Sequence, residues 1–165
     1  KYFLFVNTSI VSISKNIDII ESGMAFSTPI ADGGDIQTSA HRAIKAGINL
    51  NETFKIVKKF KKIEYSKPVI LMGYWNLILQ FNENKFIKFC KKSGVSGLII
   101  VDLPHPENRA FAQKCKKNEI TFVQLLSPTT SSGSQRMDVN AKCVSCFTIV
   151  LKKVQGNFLA LLRTF

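Results

Sequence analysis

Two carboxylates carry the chemistry that this sequence offers first. Glu21 ends the apolar stretch Ile17-Asp18-Ile19-Ile20, and Asp32 follows in the same segment, flanked by Ala31, Gly33 and Gly34. A carboxyl group at the end of an apolar strand is partly desolvated, which raises its pKa and fits it for proton transfer near neutrality. The glycines let the backbone fold back and aim the second carboxylate at the same pocket. Acid/base catalysis is one reading of the pair, a helix cap and a surface charge the other, and the spacing leaves both open. No His stands close to either in the sequence, so a metal site is not expected.

Elements must hold these residues. Short apolar, β-branched or aromatic runs predict strands at Tyr2 to Val6, Ile17 to Glu21, Pro68 to Gly73, Gly97 to Asp102, Ile120 to Leu125 and Phe147 to Leu151. Between them, Asn49-Leu-Asn-Glu52 resembles a capping box opening a helix with Phe54, Val57 and Phe60 on one face. A second helix buries Phe86, Ile87 and Cys90 and stops at Gly94, and a third, with Pro106 in its first turn, buries Phe111, Ala112 and Cys115 and stops at Asn118. This βαβ rhythm belongs to a parallel sheet covered by helices, either a doubly wound open sheet or a (β/α)8 barrel. Both place ligands at the C-terminal ends of the strands, here Glu21 to Gln37, Gly73 to Asn76, Asp102 to Pro106, Ser127 to Gly133 and Lys152 to Gly156. The first of these has no hydrophobic period before a helix near Ser39, and so long a loop is usually functional.

The chain has 165 residues, 45% hydrophobic and 21% charged, which suits one globular domain over 1–165 with a sizeable core. No apolar run approaches the ~18 residues of a membrane span. The net charge of +12 would suit a nucleic acid or an anionic surface. Its lysines instead cluster near the ends of separate helices, at Lys58 to Lys62, Lys88 to Lys92 and Lys114 to Lys117, where they complement the helix dipole; no nucleic-acid partner is expected. Cys143-Val-Ser-Cys146 enters a strand, so with Cys90 and Cys115 these read as buried free thiols of a reducing, cytoplasmic compartment. The chain begins at Lys1 without Met, which suggests an incomplete or processed end.

The segment Glu21-Ser-Gly-Met-Ala-Phe-Ser-Thr-Pro-Ile-Ala-Asp-Gly-Gly-Asp-Ile-Gln37 resembles the signature of the tryptophan synthase alpha chain, E-L-G-x-P-F-S-D-P-x-A-D-G-P-x-I-Q. Further matches follow in the family's order: Leu71-Met-Gly-Tyr-Trp-Asn76, Gly94-Val-Ser-Gly-Leu-Ile-Ile-Val-Asp-Leu-Pro104 and Leu126-Ser-Pro-Thr-Thr130. The resemblance implies a (β/α)8 TIM barrel that cleaves indole-3-glycerol phosphate to indole and glyceraldehyde 3-phosphate by a retro-aldol reaction, without metal or organic cofactor. In it Glu21 matches the general acid/base and Asp32 the carboxylate that pairs with the indole N–H. Tyr74 matches an active-site tyrosine, and Met72, Ile99 and Ile149 fall where apolar side chains would sandwich the ring. Gly156 matches a phosphate-binding glycine. Asn76 and Pro104 match contacts with a beta chain, the family's partner in a heterotetramer.

The departures from the family pattern are expectations too. Thr28 replaces an Asp and Ala25 a Pro on the loop that meets the partner in this family, which implies a weaker or absent partner contact; Gly34 and Leu77 replace Pro residues as well. Lys152 to Gly156 stands where the family has a longer mobile loop, and Gln155 replaces a Thr that orients the catalytic carboxylate. A complete barrel of this type needs about 250 residues, so six expected strands make an incomplete one. The glycine-rich phosphate turns after the seventh and eighth strands are unmatched, which leaves Lys152 and Lys153 as the only basic pair placed to compensate. Only about ten residues separate the first two expected strands, the lower limit for a parallel crossover. A degenerate remnant that retains only subunit or self-association is the alternative to a lyase.

Overall fold

The computed structural model describes residues 18–63, 67–125, 149–154 and 157–162. Four strands run parallel: β1 (Ile20–Gly23), β2 (Val69–Gly73), β3 (Gly97–Ile100) and β4 (Thr121–Val123). Five helices intervene: α1 (Gly34–Lys45), α2 (Leu50–Ile63), α3 (Trp75–Phe81), α4 (Glu83–Ser93) and α5 (Arg109–Lys117). Two later strands, β5 (Ile149–Val154) and β6 (Asn157–Leu162), form an antiparallel hairpin whose β6 also pairs antiparallel with β1. Among the described residues the sheet therefore has six strands, in the order β4-β3-β2-β1-β6-β5.

The end of the chain departs from the expected pattern. The strand expected at Phe147 to Leu151 falls on β5, which runs on to Val154, and it is not a sixth parallel strand beside β4. Only two residues separate β5 from β6, a span that suits a hairpin, whereas a parallel crossover needs a dozen or more. Lys152 and Lys153, expected in a loop, lie inside β5 opposite Leu159 and Phe158. The strand expected at Tyr2 to Val6, the turn at Leu126 to Thr130 and Cys143 to Cys146 lie outside the described residues.

Pairing register sorts the sheet's two faces. Glu21 stands opposite Ile70, Gly23 opposite Met72, Met72 opposite Ile99 and Ile99 opposite Val123. Because side chains alternate along a strand, Ile20, Val69, Leu71, Leu98, Ile100 and Phe122 point the other way, into the helices. There they pack with Phe54, Val57 and Phe60 of α2, Phe86, Ile87 and Cys90 of α4, and Phe111 and Cys115 of α5, the apolar faces expected for these helices. Each such side chain contributes about 1.5–3 kcal/mol on full burial. The opposite face holds a smaller cluster of Ile70, Ile99 and Val123, with Ile19, Met72 and Val101 against it, and Glu21 shares that face.

The helix ends follow local chemistry. Asn49 Oδ1 accepts from the Asn51 and Glu52 N–H groups at 3.0 and 3.2 Å and opens α2. Gly94, at φ +83°, ends α4 in the left-handed conformation that glycine adopts without strain. Asn118 ends α5, but that helix begins at Arg109, so Pro106 lies in the preceding turn. Within that turn, buried Asn108 donates to Gln124 Oε1 and ties it to the end of β4. Helix α1 starts at Gly34, earlier than the expected Ser39. The thiols of Cys90 and Cys115 are free and buried; burial, followed by the nearby Glu83 charge, pushes Cys115 up to about 12, so it stays an inert thiol at neutral pH.

Gly73 closes β2 where the chain of β1 runs on through Met24, whose N–H donates to Met72 O at 2.7 Å. A Cβ on Gly73 would lie 2.5 Å from Met24 Cε and 3.0 Å from Met24 Cβ. Gly73→Ala is therefore expected to destabilise the fold by about 1–3 kcal/mol, the usual cost of overpacking. Urea unfolding of the two chains checks this, and an unchanged midpoint would show that Met24 moves aside freely.

Candidate active site

Glu21 sits inside β1, one position from its start, and not at the strand's end as the sequence pattern suggested. It is only 3% exposed, on the same face as Met72 and Ile99. Its Oε2 is buried without a hydrogen-bond partner among the described residues. A carboxylate there would lack solvation, so the proton is held more tightly. Burial first, and the Asp32 charge second, raise the Glu21 pKa from 4.5 to about 7. Near neutral pH the group is thus divided between an acid that can give a proton and a base that can take one.

Asp32 reaches this region because its loop is tied down by backbone atoms. The Asp32 N–H donates to Pro29 O at 3.1 Å, and Gln37 Nε2 donates to Asp32 O at 2.8 Å. The helix-cap alternative for Asp32 fails, because Gly33 is the N-cap of α1 and no side chain bonds to that cap. The Asp32 carboxyl instead accepts from the Tyr74 hydroxyl, a contact that lowers its pKa against the larger, upward effect of burial. Tyr74 Oη also accepts from the Ala31 N–H at 2.9 Å. Burial is the largest of the effects that raise the Tyr74 pKa, so the phenol stays protonated and able to donate. Its ring lies 5.1 Å from that of Phe26, which comes from the same loop as Asp32.

Glu21 from within β1 is therefore brought together with Asp32 and Tyr74 from the segments that follow β1 and β2, with Met72 half-buried and Ile99 buried on the sheet face of Glu21. Ile149 stands at the start of β5, in the outermost strand, and Gly156 lies outside the described residues. Asn76 on α3 and Pro104 after β3 are both exposed, and so is Thr28. Leu77 packs against the helix-side core. Sequence reasoning did not assign a role to Phe26, Ala31 or Gln37, although all three stand within the motif that singled out the loop. Among the described residues, no three His, Cys, Asp or Glu side chains converge as a metal-ligand set.

The Glu21 shift links protonation to stability. Between pH 4.5 and about 7 the unfolded chain releases this proton while the folded chain keeps it, so stability falls as pH rises through that window and levels off above it. Asp32 contributes with the same sign, since its pKa is also raised. Glu21→Gln is expected to flatten most of this slope and to raise stability at pH 8 by on the order of 3 kcal/mol at most. Denaturant unfolding at a series of pH values checks it; parallel curves for the two chains would mean that Glu21 titrates normally.

Known proteins resemble this chain in sequence and in fold. A family profile described as tryptophan synthase alpha chain matches residues 7–156. The tryptophan synthase alpha chain of Pelagibacter ubique is 62% identical over 120 residues, which are 73% of this chain and 45% of that protein. The crystal structure of tryptophan synthase subunit alpha from Legionella pneumophila superposes with a TM-score of 0.75 at 34% identity, over 79% of this chain and 50% of that one. A structure of the Pyrococcus furiosus tryptophan synthase a2b2 complex matches with a TM-score of 0.73 at 36% identity, over 78% and 52%. The chain spans about half the length of these relatives, and its parallel strands and helices correspond to part of their TIM barrel. On sequence and structure alike, the chain belongs to the tryptophan synthase alpha chain family.

Proposed function

We propose that the protein carrying this chain is a carbon–carbon lyase of tryptophan biosynthesis that cleaves indole-3-glycerol phosphate to indole and glyceraldehyde 3-phosphate. The observation that supports this most is the buried Glu21 carboxyl, raised to about 7 and beside Asp32, with one oxygen unpartnered. Neutral Glu21 gives its proton to indole C3, which makes the ring an electron sink. The carboxylate so formed takes the proton of the side-chain hydroxyl, a carbonyl forms, and the electron pair of the C3–carbon bond returns to the ring. Glu21 ends protonated, so the cycle balances. Asp32 accepts from the indole N–H and offsets the positive charge that develops on the ring, electrostatic help that is fixed before the reaction starts.

The remaining assignments follow the same reading. Tyr74 holds Asp32, while Met72, Ile99 and Ile149 supply apolar walls for the ring. Gly156 donates to the phosphate. Asn76 and Pro104, both exposed at the same end of the sheet, contact a tryptophan synthase beta chain. The chain is one partial barrel domain over 1–165, the compartment is the cytoplasm, and no metal or organic cofactor enters the reaction. Among the described residues no helix is long and apolar enough to cross a membrane.

Indole release from indole-3-glycerol phosphate tests this, first with the 165-residue chain, with and without a beta chain. A second arm uses a chimera in which residues 18–125 replace the matching segment of the Pelagibacter ubique relative, so that a full-length barrel surrounds them. Glu21→Gln in the chimera is expected to lower the rate by roughly 10²–10⁴-fold, and Asp32→Asn by roughly 10²–10³-fold. A folded chimera that releases indole no faster than its Glu21→Gln variant would overturn the proposal.

A further inference from the structure

Tyr74 is held through its neighbours as well as through its hydroxyl. On one side, Gly73 O accepts from the Val101 N–H at 3.0 Å and extends the β2–β3 ladder one residue past β3. On the other, the Trp75 N–H donates to Asp102 Oδ1 at 2.7 Å. Residues 73 and 75 are thus bonded to the consecutive residues 101 and 102, and Tyr74 is clamped between them. Trp75 opens α3, Tyr74 is its extended N-cap residue, and no side-chain cap bond comes from Tyr74 itself. The Trp75 ring meets Phe111 edge-on at 4.9 Å, which holds the same peptide from the side of α5.

We propose that Asp102 is a positioning residue for Tyr74: by anchoring the Trp75 amide it sets the peptide from which the Tyr74 hydroxyl reaches Ala31 and Asp32. Asp102 is exposed and has no place in the retro-aldol chemistry. Its carboxylate acts through the backbone, and its charge is also felt at the Tyr74 hydroxyl. Hydrogen bonds to a charged acceptor are the stronger kind, and here the partner is an N–H at a helix start with no bond inside the helix. The consequence runs from the turn after β3 to the loop after β1, elements that lie on either side of β2 in the sheet. The effect on catalysis rests on the function proposed above; the effect on geometry does not.

Amide hydrogen exchange on the 165-residue chain reads the geometry directly. Asp102→Ala is expected to speed exchange at the Trp75 amide, and also at the Ala31 amide that donates to Tyr74, each by on the order of tenfold or more. Asp102→Asn keeps an acceptor oxygen and is expected to restore both. Tyr74→Phe is expected to release Ala31 alone. Faster exchange at Trp75 with Ala31 unchanged would overturn the proposal, because Asp102 would then cap α3 and nothing more. So would equal acceleration at Leu71 and Leu98, which marks general loosening, or no change at either amide. In the full-length chimera, Asp102→Ala is expected to lower kcat by on the order of 100-fold with a smaller change in KM, while Asp102→Asn recovers most of it. If the exchange pattern appears but the parent chimera releases no indole, the proposed function fails and the positioning role stands.

Discussion

The parallel register between β1 and β2 is the constraint on which the site depends. It places Glu21 opposite Ile70, on the face that carries Met72 and Ile99. A slip of one residue would exchange Glu21 with Ile20 and drive a carboxylate into the Leu71 and Phe54 side of the sheet. Several contacts oppose such a slip. The Ile20 N–H donates to Pro68 O at 3.0 Å before the paired residues begin, and the Met24 N–H donates to Met72 O at 2.7 Å after they end. Gly73 lacks the Cβ that would otherwise meet Met24. The glycine of the Leu71-Met-Gly-Tyr-Trp-Asn76 motif therefore has a packing reason: it lets β1 and β2 stay in step up to the point where their loops diverge.

Once the register is set, the two carboxyls are driven apart by their surroundings. Glu21 is the more buried and has an oxygen without a partner, so its neutral form is favoured. Burial raises the Asp32 pKa too, but Asp32 is less buried, and the Tyr74 hydroxyl that donates to it offsets part of that rise. Each state then supports the other, because an ionised Asp32 raises the Glu21 pKa further. Unequal environments of this kind divide acid/base work between two residues of the same chemistry. Tyr74 maintains the division by donating to Asp32 while it accepts from Ala31.

Much of this was legible in the sequence, for reasons that are local. The buried faces of α2, α4 and α5 follow helical spacing, and the stops at Gly94 and Asn118 follow cap chemistry. The meeting of Glu21 with Asp32 and Tyr74 came from motif resemblance, since spacing alone left Asp32 open as a helix cap. Helix α3 was missed: seven residues are too few to display a helical period, and the carboxylate that holds its first N–H lies 27 residues downstream. Helix α1 begins earlier than expected because it has no buried residue and hence no apolar stripe to mark its start. The extent of β5 was misjudged because Lys152 and Lys153 read as a loop, and strand direction is a property of pairing that no single run displays.

The hairpin has a geometric consequence for β1. A strand has two hydrogen-bonding flanks, and those of β1 are taken by β2 on one side and β6 on the other. The βα rhythm that places β1 to β4 side by side implies a further parallel neighbour on the flank of β1 opposite β2, as a barrel requires for closure. That neighbour and β6 compete for the same N–H and C=O groups, so the sheet can hold one or the other. Pairing with β6 removes an open edge beside Glu21, and open edges invite association with other chains. It also runs antiparallel, with Ala160 opposite Glu21, where a barrel would set a parallel strand. The four parallel strands and the Glu21, Asp32 and Tyr74 contacts come from β1, β2 and their loops. They therefore hold whichever partner occupies that flank.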